Sequence, residues 1–311
     1  MTTFLATLFA VSILLALAVP GFLFIKCKLV KEDFIPGVSK ILLYVCQPAI
    51  AIYSFQNIEF SYDVLRNLGL FTLFCIAIHA IILLSVYFLL GKNRNSVLGK
   101  IVSLSSCFAN CTFFGIPLIE AIFPEEAPGL IVYAALYALI LNIFGWTAGA
   151  AILSGDTKFI SVKRICLNPT TLGTVAAFLL LAFSITLPET LLSHVTIVGK
   201  MATPLSMLVL GMRLATADLK SIFLNGKLYI ASFVKLVAMP VVSFLLIYFI
   251  PISPLVKASF FILGACPTAS LALAFAEMFG EGQKEASASI LLSTILSIAT
   301  LPLLAFMMEL F

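Results

Sequence analysis

The chain has 311 residues, of which 62% are hydrophobic and only 10% charged. Soluble domains average about 25% charged and 45–50% apolar residues. With a mean hydropathy of +1.18, the composition excludes a soluble globular enzyme, a disordered chain and a nucleic-acid-binding module. A membrane helix with its loop uses roughly 30 residues, so this length predicts an all-α integral membrane protein of about ten spans.

The first apolar run, Met1–Ile25, carries no basic residue before Lys26. A cleavable signal peptide needs a positive n-region, so this run reads as a retained first span. Charged residues punctuate the rest into segments 38–56, 67–91, 99–123, 128–153, 167–188, 196–216, 227–250, 257–279 and 286–309, after a first at 3–25. The second and seventh are the least apolar and hold Pro48 and Pro204. The largest connection, Ser154–Cys166, is too short for a soluble domain.

Lys and Arg are unevenly shared between the loops. Odd-numbered loops hold thirteen: Lys26, Lys28, Lys31, Lys92, Arg94, Lys100, Lys158, Lys163, Arg164, Arg213, Lys220, Lys227 and Lys284. Even-numbered loops hold Arg66, Lys200 and Lys257, while Lys40 and Lys235 belong to spans. The positive-inside rule then places the odd loops in the cytoplasm and both termini outside it, in the plasma (inner) membrane.

The segments repeat. Pro48 and Pro204 are 156 residues apart, and so are His79 and Lys235, ionisable residues inside the third and eighth segments. Pro117 and Pro267, in the fourth and ninth, are 150 apart, as a shorter loop would give. The chain therefore reads as two five-span halves, 1–155 and 156–311. Five is odd, so the second half is inverted, as in secondary transporters that alternate between two related conformations.

The fourth segment is polar at its centre, with Ser105, Ser106, Asn110 and Thr112 before Gly115 and Pro117; the ninth has Gly264, Pro267, Thr268 and Ser270. Proline removes an amide donor and crowds the carbonyl four residues back. Freed backbone groups at membrane depth are tolerated where protein or a water-filled cavity covers them. Two matched breaks thus point to a transport site, with half-helix N-termini favouring an anion. Asn110, Thr112, Pro117, Pro267 and Thr268 are the leading site candidates.

Intramembrane ionisable residues are functional candidates by default. Lys235 either balances an anionic substrate or holds a helix carbonyl near Pro240. His79 either is a satisfied core histidine or carries a coupling proton. Asn142, buried in the apolar fifth segment, needs a partner and ranks behind Asn110 as a ligand. Gln47 is a third amide of this type, and Glu120 and Glu277 read as interfacial. Gly145 and Gly149, flanking Trp146, predict close helix packing and would also suit a dimer face. The seven cysteines and two histidines have neither zinc nor disulfide-framework spacing, so no metal or cofactor is expected.

Residues 110–119, Asn-Cys-Thr-Phe-Phe-Gly-Ile-Pro-Leu-Ile, resemble the Asn-Thr-x-x-x-Gly-Ile-Pro-Leu motif of the auxin efflux carrier family, which includes plant PIN carriers and bacterial permeases. Ala-Cys-Pro at 265–267 running into Ala-Phe-Ala-Glu-Met-Phe-Gly at 274–280 resembles the family's ninth span. Asn-Pro-Thr at 168–170 and Lys235 ahead of Pro240 also fit. The resemblance implies ten helices in two inverted repeats, similar to the bile-acid-symporter and Na⁺/H⁺-antiporter folds, with unwound helices four and nine crossing at the substrate site. It further implies a scaffold of helices 1, 2, 6 and 7, a transport domain of 3–5 and 8–10, elevator-like movement, a homodimer, and organic-anion substrates such as auxin, malonate or malate. Two departures stand out. The loop between spans five and six is short, as in bacterial members, and Ala272 replaces a second proline of the plant ninth span.

The sequence thus predicts a secondary carrier for a small organic anion within the lipid bilayer. The alternative is a cation/proton antiporter or sodium-coupled symporter on the same fold. Antiporters rely on membrane-embedded carboxylates, and here Asp33, Asp63, Asp156 and Asp218 all fall in loops. Neither HExxH nor paired in-span aspartates, the marks of intramembrane proteases, occur, so no catalytic set is expected.

Overall fold

A computed structural model describes residues 3–217 and 219–311 of the chain. Met1, Asp218 and the side chain of Lys220, all used above, lie outside the described residues. Among the described residues every regular element is helical, and the one β-contact is an isolated antiparallel bridge between Ala109 and Thr268.

Among the described residues seven helices are long and apolar enough to cross a membrane: Thr3–Lys26, Glu32–Phe55, Tyr62–Asn95, Ala127–Ser154, Glu189–Thr216, Gly226–Ile247 and Gln283–Leu310. An eighth forms if Thr157–Cys166 and Pro169–Ala182, bent by 43°, count as one span. Two further helices are each broken in the middle. The first has halves Val97–Cys107 and Gly115–Ile122, and the second Pro254–Ala265 and Leu271–Phe279.

The boundaries move where hydropathy is a poor guide. The stretch read as a loop before residue 167 is partly helical, because Asp156 and Ser161 each cap a short turn with a side-chain oxygen. The helix expected from 196 starts at Glu189, directly after Pro188, which cannot continue a helix backwards. Its two parts meet at Met201, three residues before Pro204.

Pro48 and Pro240 do not break their helices. Each is preceded by a π-helical turn, Leu42–Cys46 and Val234–Ala238. Proline offers no N–H to the carbonyl four residues back, and the ladder absorbs the gap by widening to an i→i+5 turn. A third π-turn, Gly145–Gly149, has no proline. There the Thr147 hydroxyl donates back to the Ile143 carbonyl (2.7 Å).

Close packing explains several glycines. Thr3–Lys26 and Glu189–Thr216 approach so tightly that a Cβ on Gly211 would overlap the Ala18 carbonyl, and one on Gly21 the Leu208 carbonyl. Gly145 and Gly149 face the rings of Phe275 and Phe108, and Trp146 packs on Phe275 at 4.9 Å between centroids. This small-residue face is therefore filled from within the chain and is not free to serve a dimer.

Charged ends meet at one end of the bundle. Lys100 pairs with Glu281 and also donates to the Leu153 carbonyl, both at 2.9 Å. The Arg164 guanidinium lies 5.0 Å from the Trp146 ring centre, and Phe159 packs on Phe279. The segments around Lys100, Arg164 and Glu281 are thus neighbours in space.

Candidate functional site

Residues 108–114 and 266–270 leave their helices and run antiparallel to each other. The backbone groups released here find partners across the crossing. The Asn110 N–H donates to the Pro267 carbonyl (2.8 Å), and the Ala269 N–H to the Phe108 carbonyl (2.9 Å). The Thr268 hydroxyl donates to the Ser105 carbonyl (2.9 Å), at the end of the first half-helix, and the Thr268 N–H to Ser293 Oγ (3.1 Å). Buried backbone polar groups demand such pairing, and in a bilayer no water supplies it.

The two prolines expected to break these helices hold different positions. Pro267 lies inside the second unwound stretch, beside the bridge. Pro117 lies in the first turn of Gly115–Ile122, where a missing N–H is tolerated; it disfavours helix continuing back over Phe113. The second half-helices start at Gly115 and Leu271, 156 residues apart, whereas the two prolines are 150 apart and differ in their place relative to those starts.

A cavity of about 300 Å³ opens against the crossing. Asn110, Thr112 and Asn142 line it, together with Gln47, Ser270 and Arg213. The Thr112 hydroxyl donates to Gln47 Oε1 at 3.4 Å, and Asn142 Nδ2 to Thr171 Oγ1 at 3.0 Å. Asn110 is only half-buried. The N-terminal ends of Gly115–Ile122 and Leu271–Phe279 adjoin the crossing and carry the partial positive charge of a helix start, although most of their first-turn amides already bond carbonyls of the unwound segments, as Gly115 N–H does to Asn110 and Ala274 N–H to Ser270. Lys40, Arg213 and Glu277 also line the wall, so its formal charge is positive.

Five sequence candidates stand outside the cavity lining. Pro117, Pro267 and Thr268 shape or pin the crossing as described. Lys235 is fully buried, and its Nζ donates to the Gly264 carbonyl (2.5 Å) with Met239 Sδ at 3.3 Å. A cation there caps the C-terminal end of Pro254–Ala265, where the helix dipole is negative. Of the two roles open for Lys235, the structure displays the carbonyl hold. His79 is fully buried between Tyr137 and Phe144. Its Nδ1 donates to the Cys75 carbonyl (2.5 Å), and its Nε2 has no partner among the described residues.

Sequence reading missed Arg213 and set aside Glu277. The bounds 196–216 already placed Arg213 inside a span, yet the loop count treated it as a loop charge. In the structure it occupies the last turn of Glu189–Thr216 and faces Glu277 across the cavity.

No curated protein matches the chain. A family model described as membrane transport protein matches residues 6–162 and 156–305. Its members are transporters and not enzymes, and the apolar helices make this a multi-pass membrane protein. The chain belongs to the membrane transport protein family, the auxin efflux carrier family that its 110–119 motif resembles.

Proposed function

We propose that the protein is a secondary active carrier for a small organic anion, a mono- or dicarboxylate, bound at the crossing of the two broken helices. The observation that carries this reading is the cavity itself. Its wall combines an accessible amide, Asn110, with a hydroxyl, Thr112, a second amide, Asn142, and two cations, Lys40 and Arg213, beside two half-helix N-termini. Oriented N–H and O–H groups with net positive charge suit a carboxylate. Amides also tolerate an empty, hydrated site, which a lone buried charge does not.

The architecture proposed is ten spans in two inverted repeats, 1–155 and 156–311. Three facts support it. Each broken pair supplies one span to the eight above. The half-helix starts keep the 156-residue offset that relates His79 to Lys235. The two family matches meet at 156–162. An elevator movement follows, with helices 1, 2, 6 and 7 as scaffold, helices 3–5 and 8–10 as transport domain, and a homodimer formed through the scaffold. Packing of Glu32–Phe55 against Pro169–Ala182 and Glu189–Thr216, and of Thr3–Lys26 against Glu189–Thr216, supports the scaffold grouping. The unpartnered Nε2 of His79 supports keeping it as the coupling candidate. The gathering of basic segments at one end supports a cytoplasmic face there, with both termini outside.

The test is transport by the purified protein in liposomes. Asn110→Ala is expected to abolish carboxylate uptake while keeping the wild-type elution profile and thermal stability. Near-normal uptake by that variant would sink the site assignment.

A further inference from the structure

We propose that Arg213 anchors the carboxylate of the transported anion and that Glu277 holds the guanidinium in place while the cavity is empty. This deepens the organic-anion reading above and rests on it.

Arg213 and Glu277 both line the cavity, one from the last turn of Glu189–Thr216 and the other from Leu271–Phe279. Arg213 Nη2 lies 3.8 Å from Glu277 Oε1. That distance is an ion pair but lies beyond hydrogen-bond range. Among the described residues Arg213 Nε is buried and has no hydrogen-bond partner. Nε and Nη2 form one edge of the guanidinium, and that edge takes a carboxylate side-on through two parallel N–H···O bonds. An unmet donor beside a loosely held one is an edge waiting for a better-seated carboxylate.

The two partners differ in exposure in the direction that displacement requires. The Arg213 side chain is 18% exposed and the Glu277 side chain 48%. Arg213 is the more enclosed of the two, and the helix C-terminus it occupies favours a cation. Glu277 can turn to water at small loss, since exposed ion pairs contribute little. An incoming carboxylate gains two charge-assisted hydrogen bonds and replaces a contact that makes none. Lys40, exposed on the same wall, keeps the lining positive with Glu277 still in place.

The experiment measures binding of malonate, acetate and the neutral analogue malonamide to the purified full-length protein, by calorimetry or thermal shift. Arg213→Gln is expected to weaken malonate binding at least tenfold, with Arg213→Lys in between. Glu277→Gln is expected to strengthen it severalfold, because the resident competitor is gone. Malonamide is expected to bind none of the variants. A purely structural ion pair predicts no gain in malonate binding from Glu277→Gln, so this variant decides the matter even if Arg213→Gln fails to fold. Carboxylate binding lost in Asn110→Ala but unchanged in Arg213→Gln and in Glu277→Gln would overturn this inference alone. No carboxylate binding by the wild type would overturn the organic-anion reading with it.

Discussion

Thr268→Val removes one hydroxyl from the centre of the crossing and little else. Thr268 is 1% exposed, and its Oγ1 donates to the Ser105 carbonyl at 2.9 Å. Valine keeps the side-chain shape, but the carbonyl at the end of Val97–Cys107 then faces an apolar methyl. A buried acceptor left unpaired costs about 1–3 kcal/mol, and no bilayer water can replace the lost donor. Thr294→Val is the matched control. Thr294 is 4% exposed, and its hydroxyl bonds back to Ile290 within its own helix, where the carbonyl keeps its helical position and the back-bond is slightly unfavourable to the helix. Reversible unfolding in mixed detergent micelles is expected to show Thr268→Val less stable by about 1–3 kcal/mol and Thr294→Val within about 0.5 kcal/mol of wild type. Equal losses in the two variants, or none in Thr268→Val, would refute the claim that the crossing is held by cross-helix pairing.

Two further outcomes follow from packing and exposure. Gly211→Val is expected to destabilise the protein by about 1–3 kcal/mol through overpacking, because its Cβ overlaps the Ala18 carbonyl; Gly37→Ala, with nothing near its Cβ, is expected to be neutral or slightly stabilising. Thermal unfolding of the two variants side by side checks this. Among the seven cysteines, Cys27 and Cys166 are exposed and the other five buried. A membrane-impermeant maleimide is expected to label only these two, and only from the cytoplasmic side of oriented vesicles; labelling from the opposite side would reverse the topology.

Much of this was legible because a membrane chain has so little polar material to place. Asn110 and Thr112 stand out against an apolar segment, and the cavity is lined by both. The breaks were legible too, since a central run of Ser, Asn, Thr, Gly and Pro has few other uses at membrane depth. Which atom does the breaking was not. Pro117 resides inside the second half-helix, and the unwound geometry depends on partners more than 150 residues away, such as Pro267 for Asn110. Lys235 could be located but its role could not, because an anion and a helix C-terminus ask for the same charge. Arg213 escaped notice for a related reason. A cation near the end of a span counts toward orientation, and only three dimensions reveal that it turns inward to Glu277.

The distribution of bond strengths says which surfaces can part. Within the crossing, three contacts of 2.8–2.9 Å join the two broken helices, two of them backbone to backbone, and a fourth ties them to Gln283–Leu310. Separating these helices would expose several buried backbone groups at once, at about 1–3 kcal/mol each. Across the cavity the direct polar links are side chain to side chain: Asn142 to Thr171, Thr112 to Gln47 at 3.4 Å, and Arg213 to Glu277 at 3.8 Å. Each joins groups that water or a bound anion can satisfy equally well. A carrier has to keep its binding surface intact while one wall moves past it. The chemistry here puts the strong, irreplaceable bonds inside one wall and the exchangeable ones between the walls, so the elevator movement proposed above requires the crossing to travel as a unit while the contacts at Gln47 and Arg213 exchange.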